Sequence, residues 1–284
     1  MKISLLIAFG FALAAAIQRS DAVLYPNLMN NIAGYWPFDE TSGGIAHEAS
    51  GLGMNGSLIN YAGNQGNWGA GKIGGALDFG GLAAKHYVRV PNFTKPTTSL
   101  TLSAWVWADS LPQWATVAAN WNGVYGALNY GMFGSDPQLS LYFAVPDPQG
   151  IGVSNGSESA DALSLGQWHH LAVVVDGGDN QVSFWRDGQI AGSFFFSGSF
   201  SPAPVPHLNI GGEPTYGNLT QGYWDGKIDD LALWTRALSS QEIGDIYNAG
   251  LNGQSLLSLV PEPSAATLVV LSGITIFLLQ RRRA

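Results

Sequence analysis

The sequence predicts an all-β protein, a sandwich of two antiparallel sheets that one short C-terminal helix closes. Apolar and polar residues alternate in several short segments, as they do in strands that bury one face. Turn residues separate these segments at hairpin spacing, most clearly at Asp187-Gly188. After Leu238 the period of the apolar residues changes from two to about 3.6, which predicts a strand followed by a helix.

The N-terminal half contributes short strands joined by glycine-rich turns. A first strand is expected within residues 32–40, and residues 71–81 predict a glycine turn followed by a strand. Residues 87–90 favour an edge strand that stops at Pro91, because proline lacks the N–H group that a sheet requires.

The segment 99–107 has the clearest strand pattern, with two distinct faces. The face that we expect in the core is formed by Leu100, Leu102, Ala104 and Val106. The other face is formed by Thr101, Ser103, Trp105 and Trp107.

The centre of the chain predicts further strands at 114–121 and 138–145. A loop is expected at 146–160, because this stretch is rich in glycine, proline, serine and aspartate. Residues 167–176 and 181–186 then predict a hairpin.

The closing stretch, residues 224–250, predicts a strand buried on both sides and then a helix. Its alternation places Asp229, Leu231 and Leu233 on one face. The opposite face is formed by Ile228, Asp230, Ala232 and Trp234. Ser239 and Glu242 have the spacing of a capping box, and Gly250 marks the expected helix end.

Several of these stretches resemble laminin-G-like jelly rolls, the bacterial branch of the concanavalin A-like lectin/glucanase superfamily. The motifs that carry the resemblance are Gly-x-Ile-Asp-Asp from Gly226, Leu-Ser-x-x-Glu-Ile from Leu238, aromatic-x-Phe-Asp-Glu from Trp36 and Trp-x-His from Trp168. The resemblance covers roughly residues 32–250 and implies a concanavalin A-like jelly-roll sandwich, with the domain spanning 23–253.

The N-terminus has the features of a secretory signal peptide over residues 1–22. A lysine precedes an apolar run from Ile3 to Ile17, and small residues around Ala22 offer a cleavage position. A buried first helix is the alternative interpretation.

The C-terminus consists of a linker, 254–263, that contains Pro261-Glu262-Pro263, and a hydrophobic segment with an arginine-rich tail, 264–284. This order resembles the PEP-CTERM sorting signal of Gram-negative bacteria. The resemblance implies passage through the inner membrane, transient membrane contact and cleavage by an exosortase-type processing peptidase, leaving a secreted or cell-surface protein. A retained membrane anchor is the alternative, although the apolar run is short against the ~20 residues of a typical span.

Residues 23–262 carry seven Lys or Arg and nineteen Asp or Glu, a formal net charge of −12. Such a charge repels phosphate backbones, so no nucleic-acid partner is expected. The chain has no cysteine, so the core, with or without a metal, must hold the domain together without disulfides.

No catalytic pattern is apparent in the sequence. The glucanases of this superfamily use a Glu-x-Asp-x-x-Glu strand, because a retaining mechanism needs two carboxylates about 5 Å apart. Here the only acids clustered in a strand are Asp225, Asp229 and Asp230. The histidines show no zinc-ligand spacing, and the adjacent His169 and His170 should point to opposite faces, one buried and one at the surface. We therefore expect a protein without enzymatic activity.

Ten tryptophans in an acidic β-protein favour carbohydrate binding, because aromatic faces stack on the apolar faces of sugar rings. Trp36, Trp168 and Trp234 occupy positions that the resemblance assigns to packing. The candidates for an exposed ligand-binding groove are Trp105, Trp107, Trp114, Trp121 and Trp185.

The resemblance also implies a structural calcium ion (Ca2+), held by Glu48, loop residues near Asn55, and Asp229. Calcium prefers six to eight oxygen ligands, which carboxylates and loop carbonyls supply. The family usually has Asp where this chain has Glu48. In the alternative interpretation, Asp229 accepts backbone amides of the first loop instead of binding a metal.

These patterns predict an exported, non-catalytic, lectin-like domain that binds extracellular polysaccharide or a surface protein. A structural cell-surface or biofilm-matrix component without a discrete ligand is the alternative, and a glycan-active enzyme is the third hypothesis.

Overall fold

The structure is a computed structural model that describes residues 27–260 except 113, 122–125, 134–137, 148–149, 158–162, 198–205 and 215–221. The predicted signal peptide, 1–22, and the hydrophobic segment, 264–284, lie outside these residues. The strands are β1 Ile32–Trp36, β2 Ile45–Ala46, β3 Gly56–Ile59, β4 Trp68–Ala70, β5 Gly75–Asp78, β6 Tyr87–Val90, β7 Leu100–Ala108, β8 Thr116–Trp121, β9 Gly126–Phe133, β10 Gln138–Asp147, β11 Gly150–Ser157, β12 Trp168–Asp176, β13 Gln181–Arg186, β14 Gln189–Phe195, β15 Leu208–Ile210 and β16 Gly226–Trp234. The helices are α1 Gly81–Ala84 and α2 Ser240–Leu251, and 3₁₀ turns lie at Ala62–Asn64 and Leu256–Leu259.

The strands form two antiparallel sheets. The first has the order β14-β13-β12-β7-β16-β5-β4, and β1 pairs with β16 beside β5. The second has the order β11-β10-β9-β8-β15-β6-β3-β2. The predicted jelly-roll sandwich of two antiparallel sheets with one short helix near the C-terminus is therefore confirmed.

The central strands of the first sheet are buried on both faces. Its inner face packs against the second sheet and forms the main apolar core, which contains the predicted core face of β7: Leu100, Leu102, Ala104 and Val106. Its outer face forms a second apolar cluster with α2, in which Tyr35 and Trp234 of the sheet join Ile243, Ile246 and Ala249 of the helix. The helix thus covers a sheet face that would otherwise lie in solvent.

The closing strand β16 contains a β-bulge that the alternating pattern does not reveal. Its register with β7 shifts between Asp229 and Ala232, and Asp230 adopts a positive φ of 48°. The extra residue changes which side chains share a face. Ile228, Leu231 and Leu233 lie together in the main core, so the prediction that Asp229 shares a face with Leu231 and Leu233 is wrong.

Helix α2 begins as predicted and ends one residue later than expected. Ser239 Oγ accepts from Glu242 N (3.3 Å), and Glu242 Oε2 accepts from Ser239 N (2.8 Å), which completes the capping box. The helix continues through Gly250 to Leu251. A Cβ at Gly250 would overlap the Trp105 indole, so this glycine permits close packing of helix on sheet rather than stopping the helix.

Both predicted hairpin features are present around β13. β12 pairs with β13, and Asp187 and Gly188, both at positive φ, form the two-residue turn to β14. The loop expected at 146–160 is wrong for most of its length, because Gly150–Ser157 pairs along β10 as β11. Pairing with a neighbouring strand has overridden the unfavourable composition of this stretch.

Candidate functional site

An open depression lies where the first sheet meets the C-terminal end of α2, and we refer to it as the α2 depression. Its volume is about 260 Å³. The residues that line it are Lys72, Trp105, Gln167, Trp168, His169, Asp187, Tyr247 and Leu251. Strands β7 and β12, the Asp187-Gly188 turn and helix α2 therefore meet at one place.

The aromatic wall of the α2 depression is Trp168, the first residue of β12. Trp168 pairs in register with Trp107 of β7, and the two rings meet edge to face with centroids 5.9 Å apart. Trp107 Nε1 donates to Asp109 Oδ1 (2.9 Å), which holds the Trp107 ring in place. Trp168 is half-buried, so part of its ring faces solvent in the depression.

The floor of the α2 depression is Trp105, which is only 2% exposed. The Tyr247 ring of α2 stacks on it at 5.7 Å, and Lys72 Nζ lies 5.3 Å from its ring centroid. Gly188 lets Tyr247 approach the hairpin turn, because a Cβ there would lie 2.6 Å from Tyr247 Cδ1. The floor is therefore fixed by packing from the sheet, the helix and the turn.

The polar wall of the α2 depression is built around Asp187. Its carboxylate accepts from the His169 ring through Nδ1 (2.7 Å) and from the backbone N–H of His170 (2.9 Å). Burial alone would raise the pKa of Asp187, but these hydrogen bonds outweigh it and lower that pKa. A carboxylate and an imidazole are thus held beside the exposed part of Trp168.

Trp105 and Trp121 are not exposed groove residues. Trp105 lines the α2 depression but is only 2% exposed, and Trp121 is 7% exposed, so the expectation that both offer an exposed ring to a ligand is wrong. The reason at Trp105 is that α2 packs on that face of the first sheet, which sequence alternation cannot show. Trp121 lies in β8 of the second sheet, away from the α2 depression.

The other three selected tryptophans, Trp107, Trp114 and Trp185, are half-buried, and the structure does not bring them together. Trp107 packs edge to face against Trp168 but does not line the α2 depression. Trp114 precedes β8, and Trp185 in β13 packs against the cluster beneath α2. Sequence reasoning missed Trp168 because its motif position is typical of packing. The signal that identifies it is its register partner Trp107, which only the pairing of β7 with β12 reveals.

A second polar group lies on the outer face of the second sheet. Arg89 Nε donates to Asn209 Oδ1 (3.2 Å), and Asn209 Nδ2 donates to Glu213 Oε2 (3.0 Å). Asn209 and Glu213 are fully buried, whereas Arg89 is partly exposed and lies over the Tyr87 ring. Arg89, the one partly exposed member of this row, marks a second candidate surface for a polar ligand.

A family sequence model, Laminin_G_3, described as the concanavalin A-like lectin/glucanases superfamily, matches residues 80–244, more than half of the chain. The chain belongs to this superfamily. The resemblance drawn from the closing stretch and the Trp-x-His motif is thereby confirmed.

Several solved structures share the fold of this chain at low sequence identity. Domain 4 of AbnA, a GH43 extracellular arabinanase from Geobacillus stearothermophilus in complex with arabinotriose, has a TM-score of 0.57 and 20% identity over 76% of this chain and 98% of that chain. The binding domain of botulinum neurotoxin DC in complex with SialylT has a TM-score of 0.52 and 13% identity over 78% of this chain and 52% of that chain. A Trypanosoma rangeli sialidase has a TM-score of 0.52 and 18% identity over 79% of this chain and 33% of that chain. The match thus spans nearly all of the arabinanase domain but only part of the other two chains.

No curated protein matches this chain. Among residues 27–260, the gaps aside, no helix is both long enough and apolar enough to cross a membrane.

The calcium ligands that the superfamily resemblance implies are all engaged in hydrogen bonds. Glu48 accepts from the backbone N–H groups of Tyr35, Ser50, Leu52 and Gly53, and Asn55 Oδ1 accepts from Glu48 N (2.9 Å). Asp229 Oδ2 accepts from Lys72 N (2.7 Å) and Ile73 N (2.9 Å), so it secures the 71–74 turn rather than the first loop. Within the described residues, no group of three or more His, Asp or Glu side chains is placed to hold a metal ion.

The clustered acids of β16 form a buried pair rather than the open pair that a glucanase needs. Asp229 and Asp230 are adjacent in the strand and both are buried, and Tyr35 Oη donates to Asp230 Oδ1. Burial raises the pKa of both carboxyls, and at Asp229 the neighbouring Asp230 carboxylate raises it further. Because Asp229 is 0% and Asp230 8% exposed, the pair does not form an open carboxylate site.

His169 and His170 also differ as predicted. His170 is fully buried, with Nε2 2.7 Å from Ser103 Oγ, and burial lowers its pKa to about 4. His169 remains partly exposed in the α2 depression beside Asp187.

Proposed function

We propose that this protein is an exported, non-catalytic module that binds an extracellular polysaccharide, with the α2 depression as the binding site. The observation that carries the proposal is the half-buried Trp168 ring beside Asp187, His169 and Gln167 in an open depression. Sugar sites combine an aromatic surface that stacks on the ring with a few polar groups that bind its hydroxyls.

The comparisons support a glycan as the first ligand to test. One structural neighbour was solved with arabinotriose and another with SialylT. At 20% identity or below these likenesses carry the fold alone, so the sugar that this chain binds follows from its own residues. A surface protein is the other partner class that an exported domain of this kind could meet.

The experiment is a glycan array with the domain, followed by calorimetry on the sugars that bind. Trp168→Ala should weaken binding by about 1 kcal/mol or more, roughly fivefold in Kd, through loss of the stacked ring. Phe195→Ala is the matched control, since Phe195 is 74% exposed on β14 and does not line the depression. Arg89→Ala tests the outer face of the second sheet instead.

The possible outcomes separate the alternatives. If Arg89→Ala weakens glycan binding and Trp168→Ala does not, the binding site lies on the second sheet and not in the α2 depression. An absence of any glycan ligand would favour the structural matrix component, and release of shortened sugars from a bound glycan would favour an enzyme.

We also propose export through the two terminal signals. The support is sequence pattern alone: a signal peptide at 1–22 and a PEP-CTERM-like segment that implies an exosortase-type peptidase in a Gram-negative bacterium. The calcium ion at Glu48, Asn55 and Asp229 also stays a prediction. If the ion is bound, a chelator lowers the melting temperature and added calcium restores it.

A further inference from the structure

A small cavity lies between the first sheet and α2, and Trp105, the floor of the α2 depression, also lines this cavity. Its polar lining consists of Ser103, Trp105, His170, Asp230 and Gln254, and Ile246 of α2 is among its apolar residues. The volume open to the centre of a water molecule is about 10 Å³. That is about the minimum needed to hold one water.

Two of the residues that line this cavity have a buried ring nitrogen without a partner in the described part of the chain: Trp105 Nε1 and His170 Nδ1. The two residues are 2% and 0% exposed. A buried N–H without an acceptor loses its hydration without compensation, so native structures rarely leave one unpaired. The other ring nitrogen of His170 is already engaged with Ser103 Oγ (2.7 Å).

An acceptor lines the same cavity. Tyr35 Oη donates to Oδ1 of the Asp230 carboxylate, whereas Oδ2 is buried without a partner in the described part of the chain and can accept a hydrogen bond. Donors without acceptors and an acceptor with spare capacity thus meet around a space of one water volume.

We propose that this cavity binds one ordered water molecule, which accepts from Trp105 Nε1 and His170 Nδ1 and donates to the Asp230 carboxylate. The arrangement satisfies the usual demand of a buried water for about three hydrogen bonds. Three strands, β7, β12 and β16, supply these partners, so the water joins them beneath α2. It also fixes the orientation of Trp105, the floor of the α2 depression.

The neutral form of His170 is compatible with this role. Burial lowers its pKa to about 4, so at neutral pH the ring carries one proton. When Ser103 Oγ–H donates to Nε2, that proton resides on Nδ1 and points to the water.

The direct test is a crystal structure of the protein at about 1.5 Å resolution. We expect a spherical density peak at hydrogen-bonding distance, ~2.7–3.2 Å, from Trp105 Nε1 and an Asp230 oxygen. An empty cavity would overturn the proposal. A peak at about 2.4 Å from several oxygens would overturn it as well, because it would identify a cation.

A test in solution uses oxygen-17 magnetic relaxation dispersion, which counts slowly exchanging water molecules. Ala232 lines the cavity, so Ala232→Val should fill it and lower the count by one relative to the wild type. Ala172→Val is the control: Ala172 is buried in the same apolar cluster on β12 but does not line the cavity, so the count should stay unchanged.

An equal count in the Ala232→Val protein, shown to be folded by its near-ultraviolet circular dichroism, would refute the water site. Should this variant not fold, a nuclear Overhauser effect between water and the Trp105 indole proton of the wild type decides. Its absence, with the indole resonance assigned by Trp105→Phe, would also refute the site.

Discussion

At the residue scale, Trp105 and Trp168 lie in the same depression but have opposite environments. Trp105 is stacked under Tyr247 and Lys72, whereas Trp168 retains an exposed part of its ring. We expect Trp105→Ala to lower the free energy of unfolding by about 3–5 kcal/mol, the usual cost of removing a buried large aromatic side chain. Urea denaturation followed by circular dichroism measures this.

Trp168→Ala is the comparison for that measurement and should cost clearly less stability. If Trp105→Ala instead left stability unchanged and abolished glycan binding, Trp105 would be a ligand surface despite its burial.

The alternating pattern of β7 correctly predicted that Trp105 lies on the face opposite the main core. It could not show the covering helix, because that contact joins residues separated by more than 140 positions.

The carboxyl pair in β16 should make stability fall as the pH rises. Burial raises the folded-state pKa of Asp229 above its unfolded value, so the folded state binds more protons in the window between the two values. The stabilisation is complete below the unfolded pKa and is lost as the pH rises toward the folded pKa. His170 acts oppositely below about pH 6.5, because its folded pKa is about 4.

The effect of Asp229 is therefore measured above pH 7, where His170 no longer contributes. We expect the free energy of unfolding to fall between pH 7 and 9 by up to about 1.4 kcal/mol per pH unit. Tyr35 does not interfere, since its own pKa is raised above the usual range. Asp229→Asn should flatten this slope, because the amide does not titrate, and the variant should still fold, because its side-chain oxygen can accept from Lys72 N. An unchanged slope in that variant would place the titrating group elsewhere.

At the element scale, α2 depends on its N-terminal capping box. Ser239→Ala removes the side-chain acceptor for Glu242 N and should lower the free energy of unfolding by about 1 kcal/mol. Ser240→Ala is the matched control, because Ser240 is exposed, adjacent and outside the cap. Equal effects of both variants in urea denaturation would contradict the role of the cap.

At this scale the sequence predicts those features that depend on residues close together in the chain. The capping box and the Asp187-Gly188 turn each involve residues no more than three positions apart, so the sequence pattern identified them. The bulge at Asp230 and the β10–β11 pairing depend on partner strands, and the composition of neither stretch indicates them. The α2 depression was missed for the same reason, since it forms only where two paired strands meet a helix.

At the scale of the whole molecule, charge limits the partners of the predicted mature chain. The net charge of −12 over residues 23–262 opposes binding to nucleic acids and anionic lipid. In the α2 depression Asp187 is paired with His169, and Lys72 adds one cation, so the depression does not share the strong negative charge of the chain. A neutral or weakly acidic polysaccharide is compatible with both facts.

The two terminal segments predict which residues remain in the mature, exported chain. The apolar run after Lys2 ends in small residues at Ala22, and the apolar run after Pro263 ends in three arginines that favour the cytoplasmic side. Processing at both ends should leave a mature chain from about Val23 to about Pro261, free of the membrane. Mass spectrometry of the culture medium measures its ends. A secreted species that retains Arg281-Arg282-Arg283 would contradict cleavage, and an intact tail found only in the inner membrane would identify a retained anchor. Replacing the three arginines with serine tests the signal directly, because a cell that reads this segment for sorting should then release less of the mature chain.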